Sequence, residues 1–260
     1  AASRDPAASG GRVIPSSDTK EHAMTPLWLH WISVISLAAG AVCAAVIAVD
    51  EARHPHPMWI MNLVWPLVAL SGSVLVLWAY FKVGRNAGED VHGGDADHGG
   101  SSFAVSVAKG TSHCGAGCTL GDIVAEWLLV AVPVIAVWFG WQSLFGEKIF
   151  AVWIVDYIFA LAFGIAFQFY AIAPMRGLGV WEGLWEAAKA DVLSLTFWQI
   201  GMYGFMAVAH FWLFGALLGV KLEATTVSFW FMMQIAMICG FITAFPINWW
   251  LIRVGIKEAM

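Results

Sequence analysis

The chain has 260 residues, of which 60% are hydrophobic and only 12% are charged, and its formal net charge is -5. Ordinary soluble domains are about half apolar and about one quarter charged, so this composition excludes a typical water-soluble fold. The negative net charge also argues against a nucleic-acid partner. Sixteen Trp and seventeen Phe suit a helix bundle that faces lipid and carries aromatic belts at its helix ends.

The N-terminal part of the chain is predicted to be a disordered tail followed by a transmembrane hairpin. Residues 1–27 are rich in Ala, Ser, Gly and charge and contain no apolar core. A bilayer core about 30 Å thick needs roughly 20 apolar residues per helix. The first two runs of that length cover about 28–49 and 58–81. We therefore predict a transmembrane hairpin over residues 28–81.

A flexible loop is predicted over residues 82–111, and a four-helix transmembrane domain over residues 112–260. The loop contains a low-complexity tract of Gly, Asp, Glu and His, a composition that also collects metal ions weakly. Four apolar runs follow, at about 120–144, 149–172, 194–217 and 228–252. The amphipathic stretch from Val180 to Ala190 is expected to lie in the membrane interface. The fold class is thus an all-α membrane bundle of about six transmembrane helices.

The positions of Lys and Arg predict the orientation, because positively charged segments remain in the cytoplasm. If all six runs cross the membrane and the N-terminus is inside, ten of these residues fall on the inside and three on the outside. We therefore predict a multi-pass protein of the inner membrane with both termini cytoplasmic.

Four side chains that could bind a metal ion or a proton recur every four residues at the start of the third apolar run. They are Cys114, Cys118, Asp122 and Glu126. On a helix this spacing places them along one face. Together with His113, the two thiols are suitable ligands for copper(I) or zinc. The alternative is that the small residues of this segment permit close helix packing and that the cysteines only pack.

The carboxylates of Asp122 and Glu126 are candidates for receiving an ion or coupling protons. Ionisable groups inside a membrane segment are costly and usually face a cavity or a partner. The alternative is that they pair with Lys189, Arg176 or water at the headgroups.

A second group of potential metal ligands lies in the last two apolar runs. Met202, Met206 and His210 follow one another at a spacing of four, and Met233 and Met237 share that spacing in the next run. Thioether and imidazole groups form a ligand set for copper(I). Methionines at helical spacing also fill gaps in helix cores, and His210 could be a hydrogen-bonded structural residue.

Several local motifs resemble a bacterial membrane family of unknown function. They are Met58-Trp59-Ile60-Met61-Asn62, Ser112-His113-Cys114-Gly115-Ala116-Gly117-Cys118, Ala171-Ile172-Ala173-Pro174-Met175-Arg176-Gly177, and Phe245-Pro246-Ile247-Asn248-Trp249-Trp250. The resemblance implies one coherent membrane unit and carries no established activity.

The preferred hypothesis from the sequence is a membrane protein that binds a soft transition metal, copper(I) in particular, for transport or homeostasis. The alternatives are a membrane redox protein and a non-catalytic accessory subunit of a membrane complex. No P-loop, GxSxG, HExxH or dinucleotide motif supports an enzymatic mechanism, so no catalytic or organic-cofactor site is predicted. Expected partners are the bilayer, a metal ion, and another membrane protein or a second copy of the chain.

Overall fold

The computed structural model describes residues 25–56, 58–85 and 103–257. Its helices, in chain order, are α1 (Leu27–Arg53), α2 (Met61–Ala79), α3 (Phe103–Ala131), α4 (Val134–Trp138), α5 (Lys148–Arg176), α6 (Val180–Ala207) and α7 (Val227–Arg253). A π-helical turn, Tyr80–Gly84, continues α2, and a longer π-helical segment, Val208–Leu218, continues α6.

The described helices form a membrane protein bundle, as the composition predicts. Six helical segments in this part of the chain are long and apolar enough to cross a membrane. Large apolar side chains stand on the outer surface, among them Trp28 at 63%, Leu144 at 81% and Trp181 at 84% exposure. A lipid-facing surface accommodates such side chains, whereas a water-facing surface would not. The predicted all-α bundle with about six long apolar helices is confirmed.

Two helices differ in length from the predicted segments. Helix α3 begins at Phe103, so the predicted loop over 82–111 is helical in its last nine residues. Helix α6 begins at Val180 and continues to Leu218, so the amphipathic stretch and the fifth apolar run are one helix. The predicted disordered tail, apart from residues 25–27, and the acidic and histidine-bearing tract at 88–100 lie outside the described residues.

The second apolar segment reverses direction inside the bundle. Ser73 has φ 44° and ψ −125°, which is not a helical conformation. The rings of Trp65 and Tyr80 lie only 5.6 Å apart between centroids, whereas these residues would be about 22 Å apart in a continuous helix. The segment is therefore a re-entrant hairpin of two half-helices, residues 61–72 and 74–84.

Both ends of the re-entrant hairpin lie beside the end of α1. The hydroxyl of Tyr80 donates a hydrogen bond of 2.9 Å to Asp50, and Arg85 Nε lies 3.4 Å from the same carboxylate. Burial, and secondly the charge of Lys109, lower the pKa of His56, so the start of α3 also lies at this end. The hairpin thus enters and leaves the bundle on one side.

We call this side, which carries Arg53, Lys82, Arg85 and Lys109, the basic end, and the other side the opposite end. The basic end includes the last turn of α7, since Phe103 and Trp249 contact each other with ring centroids 4.7 Å apart. Helices α1, α5 and α7 run toward the basic end, and α3 and α6 run away from it. The prediction that both termini are cytoplasmic assumed that the second apolar segment crosses the membrane fully. Its re-entrant path removes that basis, because α1 starts at the opposite end and α7 finishes at the basic end.

The tip of the re-entrant hairpin is held by side chains of two other helices. Gln234 of α7 donates a hydrogen bond of 2.6 Å to the backbone oxygen of Leu70, and its own Oε1 accepts one of 2.7 Å from Ser36 of α1. A helix that ends within the membrane leaves carbonyl groups that lipid cannot satisfy. These contacts supply a partner at the point where the first half-helix ends.

Helices α3 and α5 pack through small residues. A Cβ atom at Gly117 would lie 2.8 Å from the Cα atom of Gly164, and one at Gly121 would lie 2.6 Å from that of Ala160. Such close approach of two backbones is typical of small residues spaced by four in membrane helices. It brings the adjacent face of α3 into the interior of the bundle.

The re-entrant path predicts which engineered cysteines share a side of the membrane. We expect His54→Cys and Arg85→Cys to react with a membrane-impermeant maleimide from the same side. Lys221→Cys, at the opposite end, should react only from the other side. Sealed vesicles of known orientation provide the measurement, with the parent protein as the background control. Labelling of positions 54 and 85 from opposite sides would show a full crossing instead.

Candidate functional site

The polar face of α3 lies in the interior of the bundle over most of its length. Cys114, Cys118, Asp122 and Glu126 are 1%, 0%, 0% and 7% exposed. They are spaced by four on one helix, so they follow one face over about 18 Å. The helices α5, α6 and α7 cover this face, and each contributes polar side chains of its own.

A cluster of hydrogen-bonded side chains surrounds Cys114 in the half of the bundle nearer the basic end. The thiol donates a hydrogen bond of 2.8 Å to Asp191 Oδ1 and lies 3.0 Å from the hydroxyl of Ser194. Asn248 Nδ2 in turn donates a hydrogen bond of 2.6 Å to that hydroxyl. We call these four residues together with Lys257 the lysine cluster.

The ammonium group of Lys257 is fully enclosed within the lysine cluster. It donates hydrogen bonds of 3.2 Å to the backbone oxygen of Gly110 and 3.1 Å to the sulfur of Cys114, and it lies 3.8 Å from Asp191. Its side chain is 0% exposed and that of Asp191 is 1% exposed. Two buried opposite charges with hydrogen bonds to several neighbours form a compensated pair.

Sequence reasoning did not associate Lys257 with Cys114, because 143 positions separate them. Lys257 was only one of the positive charges expected on the cytoplasmic side. The link depends on the turn after α7, where Gly255 has φ 73° and directs the chain back toward α3. A left-handed residue at this point is a role for which glycine is suited.

Three buried carboxyl groups form a second cluster, nearer the opposite end. Asp122 and Glu126 of α3 and Asp156 of α5 lie close enough to interact electrostatically with one another. Neither carboxyl oxygen of Asp122 or Asp156 has a hydrogen-bond partner among the described residues. A carboxyl group buried in this way needs a proton, a cation or a hydrogen-bond donor to offset its lost hydration. We call these three residues the carboxyl cluster.

The lysine cluster and the carboxyl cluster are connected through Cys118. Its thiol lies within electrostatic range of Cys114 and Asp191 on one side and of Asp122 on the other. Tyr203 of α6 lies within range of Cys118 and of the whole carboxyl cluster, and its hydroxyl donates to the backbone oxygen of Trp153 at 2.8 Å. We call the two clusters together with Cys118 and Tyr203 the polar file.

The methionines predicted as ligands are buried near the thiols. Met202, Met206, Met233 and Met237 belong to the same core cluster as Cys114 and Cys118. The histidines are placed differently. His113 is 1% exposed and neither ring nitrogen has a hydrogen-bond partner among the described residues. His210 lies in the π-helical continuation of α6, with its ring 4.9 Å from that of Phe211.

The described residues contain no group of three or more His, Cys, Asp and Glu side chains arranged to hold a metal ion. In addition, the ammonium of Lys257 contacts the sulfur of Cys114, where a metal ion would bind. The structure therefore places thiols and thioethers in one core and gives Cys114 hydrogen-bond partners of its own.

A family comparison identifies the part of the chain that contains the polar file. Residues 105–257 match the family described as a domain of unknown function, DUF4396. The chain belongs to this family. The matched region runs from the first turn of α3 to Lys257, so it includes every residue of the polar file, whereas α1 and the re-entrant hairpin precede it. No curated protein and no solved structure shows significant similarity to the chain.

Removal of the Lys257 ammonium tests the compensated pair. We expect Lys257→Met to lower the free energy of unfolding by about 3 kcal/mol, because it leaves Asp191 buried without its cation. The double variant Lys257→Met with Asp191→Asn should regain part of that loss. Denaturant unfolding in detergent measures both, with the exposed Lys221→Met as the matched control. Equal stability of Lys257→Met and the parent protein would contradict the assignment.

Proposed function

We propose that this protein translocates a cation across the inner membrane and that the cation is the proton, carried along the polar file. The observation that carries the proposal is the carboxyl cluster, in which the oxygens of Asp122 and Asp156 have no partner among the described residues. Buried ionisable groups in membrane helices mark ion pathways and proton relays. The lysine cluster, with its compensated charges, lies at the other end of the same file.

The chemistry of the polar file suits a proton better than a metal ion. Carboxyl, thiol and phenol groups all bind and release protons, and these are the side chains that follow one another along it. Neighbours on α3 are separated by a rise of about 6 Å. This is longer than a hydrogen bond, so bound water or side-chain rotation must bridge each step.

The re-entrant hairpin is a second feature that supports transport. Helices that end at mid-depth in the membrane are tolerated where protein or a water-filled cavity surrounds them, and transporters use such broken helices to build ion sites. The hairpin tip contacts α1 and α7 through Gln234. It therefore lies within the bundle that encloses the polar file.

Charge distribution supports an orientation with the basic end in the cytoplasm, because Lys and Arg near helix ends remain on that side. Of the described Lys and Arg residues, the opposite end holds Lys148 and Lys221. The basic end holds Arg53, Lys82, Arg85, Lys109, Arg176, Lys189, Arg253 and Lys257. In this orientation the lysine cluster is nearer the cytoplasm and the carboxyl cluster is nearer the outside.

Proton flux into proteoliposomes tests the proposed function. We expect the protein to acidify or alkalinise vesicles that contain a pH-sensitive dye when a potassium diffusion potential is imposed. Asp122→Asn and Asp156→Asn should each reduce the flux by at least about tenfold, because a positioned proton carrier contributes on the order of 100-fold or more.

The matched control is Glu223→Gln, which removes an exposed carboxylate outside the polar file. It should retain the full flux. Elution profiles and thermal unfolding in detergent establish that each variant is folded. Flux equal to that of empty vesicles, or unchanged flux in both Asn variants, would exclude the proposal.

Copper(I) is the second candidate cation, and the sulfur-rich core is the observation that favours it. Cys118 and the buried methionines Met202, Met206 and Met233 provide the soft ligands that copper(I) prefers. Because Cys114 is hydrogen-bonded to Lys257, copper binding would require this lysine to move.

Elemental analysis distinguishes copper binding from proton flux alone. After anaerobic incubation with copper(I) and desalting, we expect about one copper ion per chain if the sulfur core is a site. Cys114→Ser with Cys118→Ser should lose the metal. Cys43→Ser with Cys239→Ser, which removes two thiols outside that core, should keep it. Absence of copper from the parent protein would exclude this candidate and leave the proton proposal unaffected.

A further inference from the structure

A cavity of about 430 Å³ lies between the re-entrant hairpin and the helices α3, α6 and α7. Its walls are largely apolar, and three of its apolar lining residues also stand on the outer surface of the bundle. These are Leu75, Trp78 and Ile238, with exposures of 73%, 62% and 43%. Because the outer surface faces lipid, the cavity is accessible from within the bilayer. Its volume is in the range of about 300 to 1,000 Å³ that small-molecule sites occupy.

The charged side chains that line the cavity are both cations. Lys82 and Lys109 line it near the basic end, and no described Asp or Glu lines it. The side chains of Trp65 and Trp198 also line it and are 5% and 2% exposed. Neither indole N–H has an acceptor among the described residues. Both indole nitrogens are themselves enclosed by protein, and Trp198 Nε1 faces Gly240 of α7, so the two lysines are the charged groups that a ligand in the cavity meets.

We propose that this cavity binds an anionic phospholipid from the surrounding bilayer. One acyl chain occupies the apolar space beside Leu75, Val76 and Ile238, and the phosphate group contacts Lys82 and Lys109.

The location of the two lysines is what favours a phospholipid over other apolar ligands. They lie at the basic end, at the level where the second half-helix of the hairpin leaves the bundle and where lipid headgroups are found. Basic pockets between membrane helices on the cytoplasmic side bind anionic headgroups. The lateral opening allows the second acyl chain to remain in the bilayer, so that the cavity needs to hold only one.

The proposed lipid site is distinct from the polar file, although Trp198 touches both regions. Gly115 of α3 and Gly240 of α7 flank the indole, since a Cβ atom would lie 2.5 Å from it at Gly115 and 2.6 Å from it at Gly240. Gly115 is the neighbour of Cys114. The lipid thus contacts the side chain that separates the cavity from the lysine cluster, and its binding does not depend on proton flux.

Native mass spectrometry of delipidated protein in detergent tests the site. The probes are phosphatidylglycerol, phosphatidylcholine and oleate, each added at the same series of concentrations. We expect one phosphatidylglycerol to bind more tightly than phosphatidylcholine. Lys82→Gln with Lys109→Gln should weaken phosphatidylglycerol binding by about 25-fold, from roughly fivefold for each lysine that contacts an anionic headgroup. Ala108→Phe, which fills the cavity, should remove binding of every probe.

The control is Lys189→Gln with Lys221→Gln, which removes two exposed lysines outside the cavity and should bind like the parent protein. Thermal unfolding in detergent verifies that the variants are folded. Equal binding of phosphatidylglycerol and phosphatidylcholine, or unchanged binding in Ala108→Phe, would overturn the proposal. Binding of oleate alone, with the same dependence on the lysines, would also overturn it in favour of a fatty-acid site.

Discussion

The close contact between α3 and α5 is the interaction on which the interior of this bundle depends. Gly117 and Gly121 allow the two backbones to approach to a distance that no larger residue permits. Gly164 opposes Gly117, and the carboxyl group of Asp191 occupies the space that a side chain at Gly164 would fill. A larger residue at any of these positions would separate the helices and open the polar face of α3 to lipid. The small residues therefore allow the helices to pack closely enough to keep the polar file away from lipid.

The two ends of the polar file differ in how they offset the cost of burying a carboxyl group. In the lysine cluster, Asp191 Oδ1 accepts a hydrogen bond from the thiol of Cys114 and lies 3.8 Å from the ammonium of Lys257, so direct contacts offset the burial of its charge even though Oδ2 has no partner among the described residues. In the carboxyl cluster, Asp122 and Asp156 lack such contacts among the described residues. Proteins tend to depart from full polar satisfaction at functional sites, because the stabilisation is supplied by a ligand or a proton instead. For this reason the carboxyl cluster, and not the lysine cluster, carries the functional proposal.

Sequence reasoning predicted the helical bundle and the buried face of α3 but not the path of the second segment. Hydropathy over residues 58–81 indicates length and polarity, and both are compatible with a full crossing or a re-entrant hairpin. The difference depends on one residue, Ser73, and on contacts with Asp50 and Gln234 that are distant in sequence. A spacing of four placed Cys114 to Glu126 on one face because that periodicity is local. Lys257 and Asp156 were missed as members of the polar file because only tertiary contacts bring them to α3.

The re-entrant hairpin gives a physical reason why the lipid-facing cavity and the polar file occur in the same molecule. A segment that crosses the membrane fully fills the space between its neighbours from one side to the other. A segment that turns back at Ser73 leaves the space beyond its two halves to be closed by other groups. On the inner side Trp198 closes it, between Gly115 and Gly240. On the lipid-facing side, the proposed acyl chain occupies this space, because the cavity is accessible from the bilayer. The indole of Trp198 is then the shared wall between the proposed lipid site and the segment of α3 around Cys114.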